Sequence, residues 1–153
     1  MMNELISPDA ITASLPASAK KQVLQDMAAR AATLAARDAH TVFDVLWERE
    51  KLGTTAVGFG IAIPHARLPG LDQVQGFFAR LAEPIAFDAV DDKPVDLVFL
   101  LLAPEDAGAD HLHALATVSR LLRDKGLCEA LRHAKNEADI YRLLTETPEA
   151  QAA

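Results

Sequence analysis

Three residues of this chain could carry out chemistry without a metal: His65, His111 and Arg49. His65 lies in the stretch Gly58-Phe59-Gly60-Ile61-Ala62-Ile63-Pro64-His65-Ala66-Arg67. Ile61 to Ile63 predict a short buried strand, and Pro64 fixes its own φ while pushing Ile63 towards an extended conformation, so the strand is expected to stop at His65. A histidine at such a stop has a fixed backbone and a free imidazole, and is both aimed and accessible. Gly58 and Gly60 permit close backbone approach or positive φ beside it. A neutral imidazole can attack phosphorus through a ring nitrogen, and that reaction needs mainly alignment and donors for the phosphoryl oxygens. An arginine supplies a forked grip on phosphate, and a second histidine supplies an N–H near neutral pH.

Each of these residues also has a plainer reading. His65 fits a half-buried turn residue as well as a nucleophile. Arg49 follows Leu46 by three residues and Val45 by four, which places it on the edge of a buried helical face. The residues alone favour a last-turn cation answering the helix dipole, with Glu48, Glu50 and Lys51 as a solvated face. Steps of four, seven and eleven from His111 reach Leu115, Val118 and Leu122, an apolar stripe, whereas His113 heads Thr117, Arg120 and Asp124. That register turns His111 inward and His113 outward. Taken alone, His111 reads best as a hydrogen-bonded core histidine, and His40 and His133 have only structural readings.

Other chemistries lack their parts. The His-x-His pair points its members about 200° apart on a helix, and no third ligand has suitable spacing for zinc. There is no Gly-x-Ser-x-Gly elbow and no Walker-type phosphate loop. Cys128 is the sole cysteine, so neither an intrachain disulfide nor a thiolate cluster can form; it reads as a small core residue in a reducing cytoplasm. A formal net charge of -7, with 15 basic residues that form no run, argues against a general nucleic-acid or anionic-membrane binder. No secretory signal is recognisable, and the longest apolar run, Leu97 to Ala103, suits a buried strand and is too short to cross a membrane.

The elements that must position the three residues follow from periodicity. A chain of 153 residues, half of them hydrophobic, fits one domain of the commonest size, and helical and strand-like segments follow one another along it. Ser7-Pro8-Asp9 predicts a short helix to about Ala13, and Ser18 caps a second helix with Val23, Met27, Ala31 and Leu34 inward. Asp38 opens a third, with Val42, Val45, Leu46 and Leu52 inward and Gly53 as its stop. Strands are expected at Ala56-Val57, Ile61 to Ile63, Val74 to Leu81 (nearer an edge) and Val95 to Leu102 (covered on both faces), with Pro84 to Phe87 a short addition. Asp110 caps the helix carrying His111. Leu127 to His133 and Ile140 to Leu144 complete the helices, Asn136 capping the last, and 147–153 is expected to fray.

At this point the residues resemble a known family. Arg49-Glu50-Lys51-Leu52-Gly53-Thr54-Thr55, the segment Gly60 to Ala66 and His111-Leu112 ahead of an apolar helix are similar to the enzyme IIA proteins of the phosphoenolpyruvate-dependent phosphotransferase system, fructose/mannitol type. Pro84 to Asp91, Pro94 to Leu97 and His111 to Leu115 look most like its nitrogen-regulatory branch. The resemblance covers nearly the whole chain. It implies an α/β fold in one domain over 1–153, with a mixed sheet of about five strands flanked by helices on both faces, a phosphohistidine at His65 with the phosphate on Nε2, and supporting roles for His111 and Arg49, which reverses the plainer readings of both. It implies no cofactor, no metal and no turnover of a free small molecule. The implied donor is an HPr-like carrier (NPr), and the implied readers are regulatory targets such as potassium-transport or sensor-kinase proteins. Two other roles stay open: a sugar-specific IIA passing phosphate to a IIB protein of a fructose/mannitol-type permease, and a binding module in which no phosphate moves. Phe59 stands where the nitrogen branch usually has Asn, and Arg67 alters the charge just past His65; both bear on partner choice.

Overall fold

The computed structural model describes residues 2–152. Among these, six strands form one mixed sheet flanked by helices: β1 (Ile11–Leu15), β2 (Ala56–Gly58), β3 (Ile61–Ala62), β4 (His65–Arg67), β5 (Gln75–Ile85) and β6 (Val95–Ala103). The order is β1-β5-β6-β3-β2, with β4 also on β6. β5 and β6 are antiparallel, while β1 runs parallel to β5 and both β3 and β4 run parallel to β6. Every residue from Leu97 to Ala103 is inaccessible to solvent, so β6 is the covered centre of the core.

The sixth strand arises from Pro64. The expected stop at His65 is instead a two-residue break at Ile63 and Pro64, after which pairing to β6 resumes at His65 opposite Leu101. Pro64 has no N–H to donate, but its carbonyl still accepts from Leu101 N at 2.9 Å, so the chain keeps its course along β6. The backbone of His65 is therefore held inside the ladder.

The helices are α1 (Met2–Leu5), α2 (Lys20–Ala35), α3 (Ala39–Leu52), α4 (Gly108–Leu121), α5 (Lys125–His133), α6 (Glu137–Glu146) and α7 (Pro148–Ala152). Asp38 caps α3 by accepting from Thr41 N, and Asn136 caps α6 by accepting from Asp139 N. The expected helix to Ala13 is only a 3-10 turn, Pro8–Ala10; the β-branched pair Ile11-Thr12 enters β1 opposite Phe78 and Ala79. Ser18 does not occupy the cap of α2, because its N–H and hydroxyl both go to Gln22 Oε1 and Ala19 takes that position. Leu34 is 44% exposed and Leu52 86%, so neither joins the core; Leu24, Ala28 and Ala32 fill the α2 face instead. Pro84 and Ile85 form no separate strand but end the long β5, and β5 lies one place in from the β1 edge. α4 starts at Gly108, which leaves Asp110 in its first turn, and Thr117, expected on a solvated stripe, is buried. In the tail, Pro148–Ala152 is helical with Ala150 buried; residue 153 lies outside the described residues.

Candidate functional site

The C-terminal half of α3, β4 and the first turn of α4 meet in an open cleft of about 500 Å³, lined by Arg49, Leu52, His65, Arg67 and His111 among others. The three residues singled out from sequence are thus brought together, although they are far apart in the chain. β4 fixes His65, the α4 register turns His111 into the same cleft, and Arg49 reaches it from the last turn of α3.

The imidazole of His65 is half-buried, and its Nδ1 lies 2.8 Å from the carbonyl oxygen of Ile63. A carbonyl can only accept, so Nδ1 carries the proton and donates. This leaves the Nε2 lone pair as the nucleophilic one, and the two-residue loop at Pro64 selects the tautomer. Burial pushes the His65 pKa below the ordinary 6.5, and Arg49 pushes the same way, against the opposing pull of the Ile63 hydrogen bond and the Glu50 charge. The ring is therefore neutral at neutral pH, as a nucleophile must be.

His111 is 8% exposed, and its ring stands 5.8 Å from that of His65, centroid to centroid, in an edge-on arrangement at 68°. Burial lowers its pKa first, then repulsion from the His65 ring when that ring is protonated, and then the Arg67 charge. Its Nε2 is buried without a hydrogen-bond partner. A buried ring nitrogen with no partner costs stability unless something arrives to satisfy it. His113, two residues on, is exposed, as the helical register requires.

Arg49 spends one N–H on the Gly53 carbonyl at 2.8 Å, which closes the α3 terminus and holds the guanidinium at the cleft with further donors to offer. The guanidinium thus both closes the helix end and lines the cleft. Arg67 shares the exposed side of β4 with His65, since residues two apart in a strand face the same way, and it donates to the Glu105 carbonyl at 3.2 Å.

Glu50 is the residue that the sequence reading misplaced. It is 4% exposed and accepts from Thr55 N at 3.0 Å, from Thr55 Oγ1 at 2.5 Å and from Lys20 Nζ at 2.9 Å. The signal was present: Val42, Leu46 and Glu50 are spaced by four, so Glu50 continues the buried stripe. Its carboxylate ties the turn after α3 to α2, directly behind Arg49.

Three comparisons bear on this geometry. Residues 4–147 match the family model described as phosphoenolpyruvate-dependent sugar phosphotransferase system, EIIA 2. A nitrogen regulatory protein of Bradyrhizobium diazoefficiens is 53% identical over 147 residues, 96% of each chain. A fructose-specific EIIA component of Haloferax volcanii is 42% identical over 84% of this chain and 82% of its own. Among solved structures, the nitrogen regulatory protein IIA-Ntr of Neisseria meningitidis superposes with a TM-score of 0.89 at 34% identity, covering 94% of this chain and 99% of that one.

Proposed function

This chain belongs to the EIIA 2 family of the phosphoenolpyruvate-dependent sugar phosphotransferase system, and from that premise we propose that it is a cytoplasmic phosphocarrier of the nitrogen-regulatory branch whose acceptor is His65. The observation that carries this reading is the pair of imidazoles: His65 with Nδ1 committed to Ile63 and Nε2 open, beside His111 with an unpartnered Nε2. The Nε2 lone pair of His65 attacks the phosphorus of a phosphohistidine on an HPr-like carrier. The new N–P bond forms as the old one breaks, and the carrier's imidazole leaves with the electron pair. His111 and Arg49 donate to the phosphoryl oxygens in a cleft that costs no metal and little reorganisation.

The nitrogen-regulatory assignment rests on the identity to the Bradyrhizobium and Neisseria proteins. In that role the phosphorylated and free forms bind different proteins, with potassium-transport and sensor-kinase proteins as the class of reader. Cytoplasmic placement is consistent with the carrier chemistry, and no helix among the described residues is long and apolar enough to cross a membrane. The test is incubation with a phosphorylated HPr-like carrier. Acid-labile, base-stable label should appear on the native chain and be absent from His65→Ala; failure to label with any such donor ends the proposal.

The identity to the Haloferax fructose-specific component favours a second reading, in which the chain passes phosphate to a IIB protein. Efficient transfer from the phosphorylated chain to a fructose- or mannitol-type IIB would select it.

A further inference from the structure

A second cleft, of about 840 Å³, is larger than the histidine cleft and separate from it. It opens between the Gly58-Phe59-Gly60 turn, the start of β6 and the α4–α5 junction, at the opposite end of the strand that leads to His65. We propose that this cleft is a second ligand site, for a small organic anion bearing a planar ring, of the nucleoside phosphate class.

The turn is built to hold a ring outward. Phe59 has φ 58°, a conformation that a bulky residue keeps only when its surroundings impose it. Two side chains impose it here: Asp91 accepts from Phe59 N at 2.9 Å, and Arg132 Nη2 donates to Phe59 O at 2.8 Å. Gly60 is required at this place, since a Cβ on it would stand 2.7 Å from Arg132 Nη2 and 2.9 Å from Asp96 Oδ1. The result of this clamping is a phenyl ring that is 64% exposed at the mouth of the cleft, beside half-exposed Val57.

The charges in the cleft favour an anion. Lys93, Arg123 and Lys125 line it, and none of them has a carboxylate within ion-pair distance among the described residues. The acids nearby are already engaged. Asp96 is held by Arg132 at 2.8 Å, Asp91 accepts from Phe59 N and Lys93 N, Asp124 caps α5, and Glu129, which also lines the cleft, lies in the field of Arg132. Three cations outside any ion pair among the described residues, on a chain of net charge -7, are thus gathered at one cleft, with Lys93 also in the field of Asp91. Lys125 Nζ stands 5.3 Å from the centre of the Phe59 ring, so an anion bridging to Lys125 brings its apolar part onto that ring. Ile61, Leu122 and Cys128 supply an apolar floor, and the volume is that of a site for a small organic molecule, larger than a bare phosphate requires.

The experiment is titration of the full chain with ADP, followed by calorimetry and by amide nitrogen–proton spectra, with adenosine and pyrophosphate as separate halves. Saturable binding is expected, with shifts centred on Gly58 to Gly60, Lys93 and Lys125, weakened about tenfold or more in Lys125→Glu and in Phe59→Ser. Both side chains are on the surface, and unchanged melting of the variants shows that the fold is intact. The two halves test the site on the native chain: pyrophosphate binding as tightly as ADP overturns the ring contact, and adenosine binding as tightly overturns the cationic one. Absence of saturation, or shifts centred on the His65 cleft, overturns the site altogether. The binding should persist in His65→Ala, so its outcome is separable from that of the labelling test.

Discussion

Replacing Glu50 by alanine should be among the most damaging single changes near the histidine cleft, although Glu50 touches neither histidine ring. The substitution removes the acceptor of two buried Thr55 donors, its backbone N–H and its hydroxyl, and one of the two carboxylates that hold Lys20. An unsatisfied buried donor costs about 1–3 kcal/mol. Breaking a buried ion pair from one side costs about 3–5 kcal/mol, because the partner stays behind uncompensated. Lys20 keeps Asp88 at 3.0 Å and is partly exposed, which trims the second figure, and contacts that share one carboxylate do not add in full, so the net loss is placed at about 3–5 kcal/mol. For a chain of this length about 1 kcal/mol lowers Tm by roughly 2–4 °C, giving a fall of roughly 6–20 °C. Glu50→Gln keeps the shape and one acceptor, and should lose about half as much. Urea unfolding and thermal melting measure both, and the labelling rate of His65 should drop with them as the turn behind Arg49 loosens. A loss below about 1 kcal/mol in Glu50→Ala would refute the claim that this carboxylate anchors the turn.

In the same labelling assay, His111→Ala should slow transfer by about 10–100-fold, the value of a charge-assisted hydrogen bond, while His113→Ala leaves it unchanged; equal losses would contradict the inward and outward assignment. Arg49→Lys keeps the charge but not the fork, and should cost about tenfold in transfer with little change in melting; a near-native rate would confine Arg49 to closing the helix. Gly60→Ala should destabilise by about 1–3 kcal/mol, because φ 81° disfavours a Cβ and Arg132 and Asp96 occupy its place; native stability in urea would show that the turn can relax. Acid should weaken the fold from near pH 6.5 downward. The folded-state pKa values of His65 and His111 lie below 6.5, so the unfolded chain binds those protons first; their contribution is complete above 6.5 and is lost as pH falls towards the folded values. Unfolding free energies of the native chain and of His65→Gln/His111→Gln between pH 8 and 5 should therefore diverge in slope, and parallel curves would refute it.

The placement of the residues of the histidine cleft was legible because they sit on regular elements whose period can be counted. Four-residue spacing separated His111 from His113, and β-strand character followed by proline marked His65. The misplacements share one physical cause, which is that tertiary partners decide what local pattern leaves open. Ile11 to Leu15 is short enough for either state, and the parallel ladder to β5 settles it as strand. Glu50 looks like a surface acid until Lys20, thirty residues earlier, is brought beside it. Leu34 and Leu52 carry apolar side chains, yet the elements they belong to end at the surface. The orphaned nitrogen of His111 and the tautomer of His65 depend on distances that no spacing rule contains.

The course of the chain through Pro64 limits how a phosphorylated state could be announced. With Leu101 bonded to the Pro64 carbonyl and His65 paired beside it, the proposed acceptor sits on backbone held in the β6 ladder, which opposes a local shift on loading. A phosphoryl group would therefore signal mainly through its own roughly two negative charges, placed between arginines on an otherwise unmoved surface. Proteins that tell the two forms apart would be sensing electrostatic sign at one spot, and their discrimination should fade with added salt.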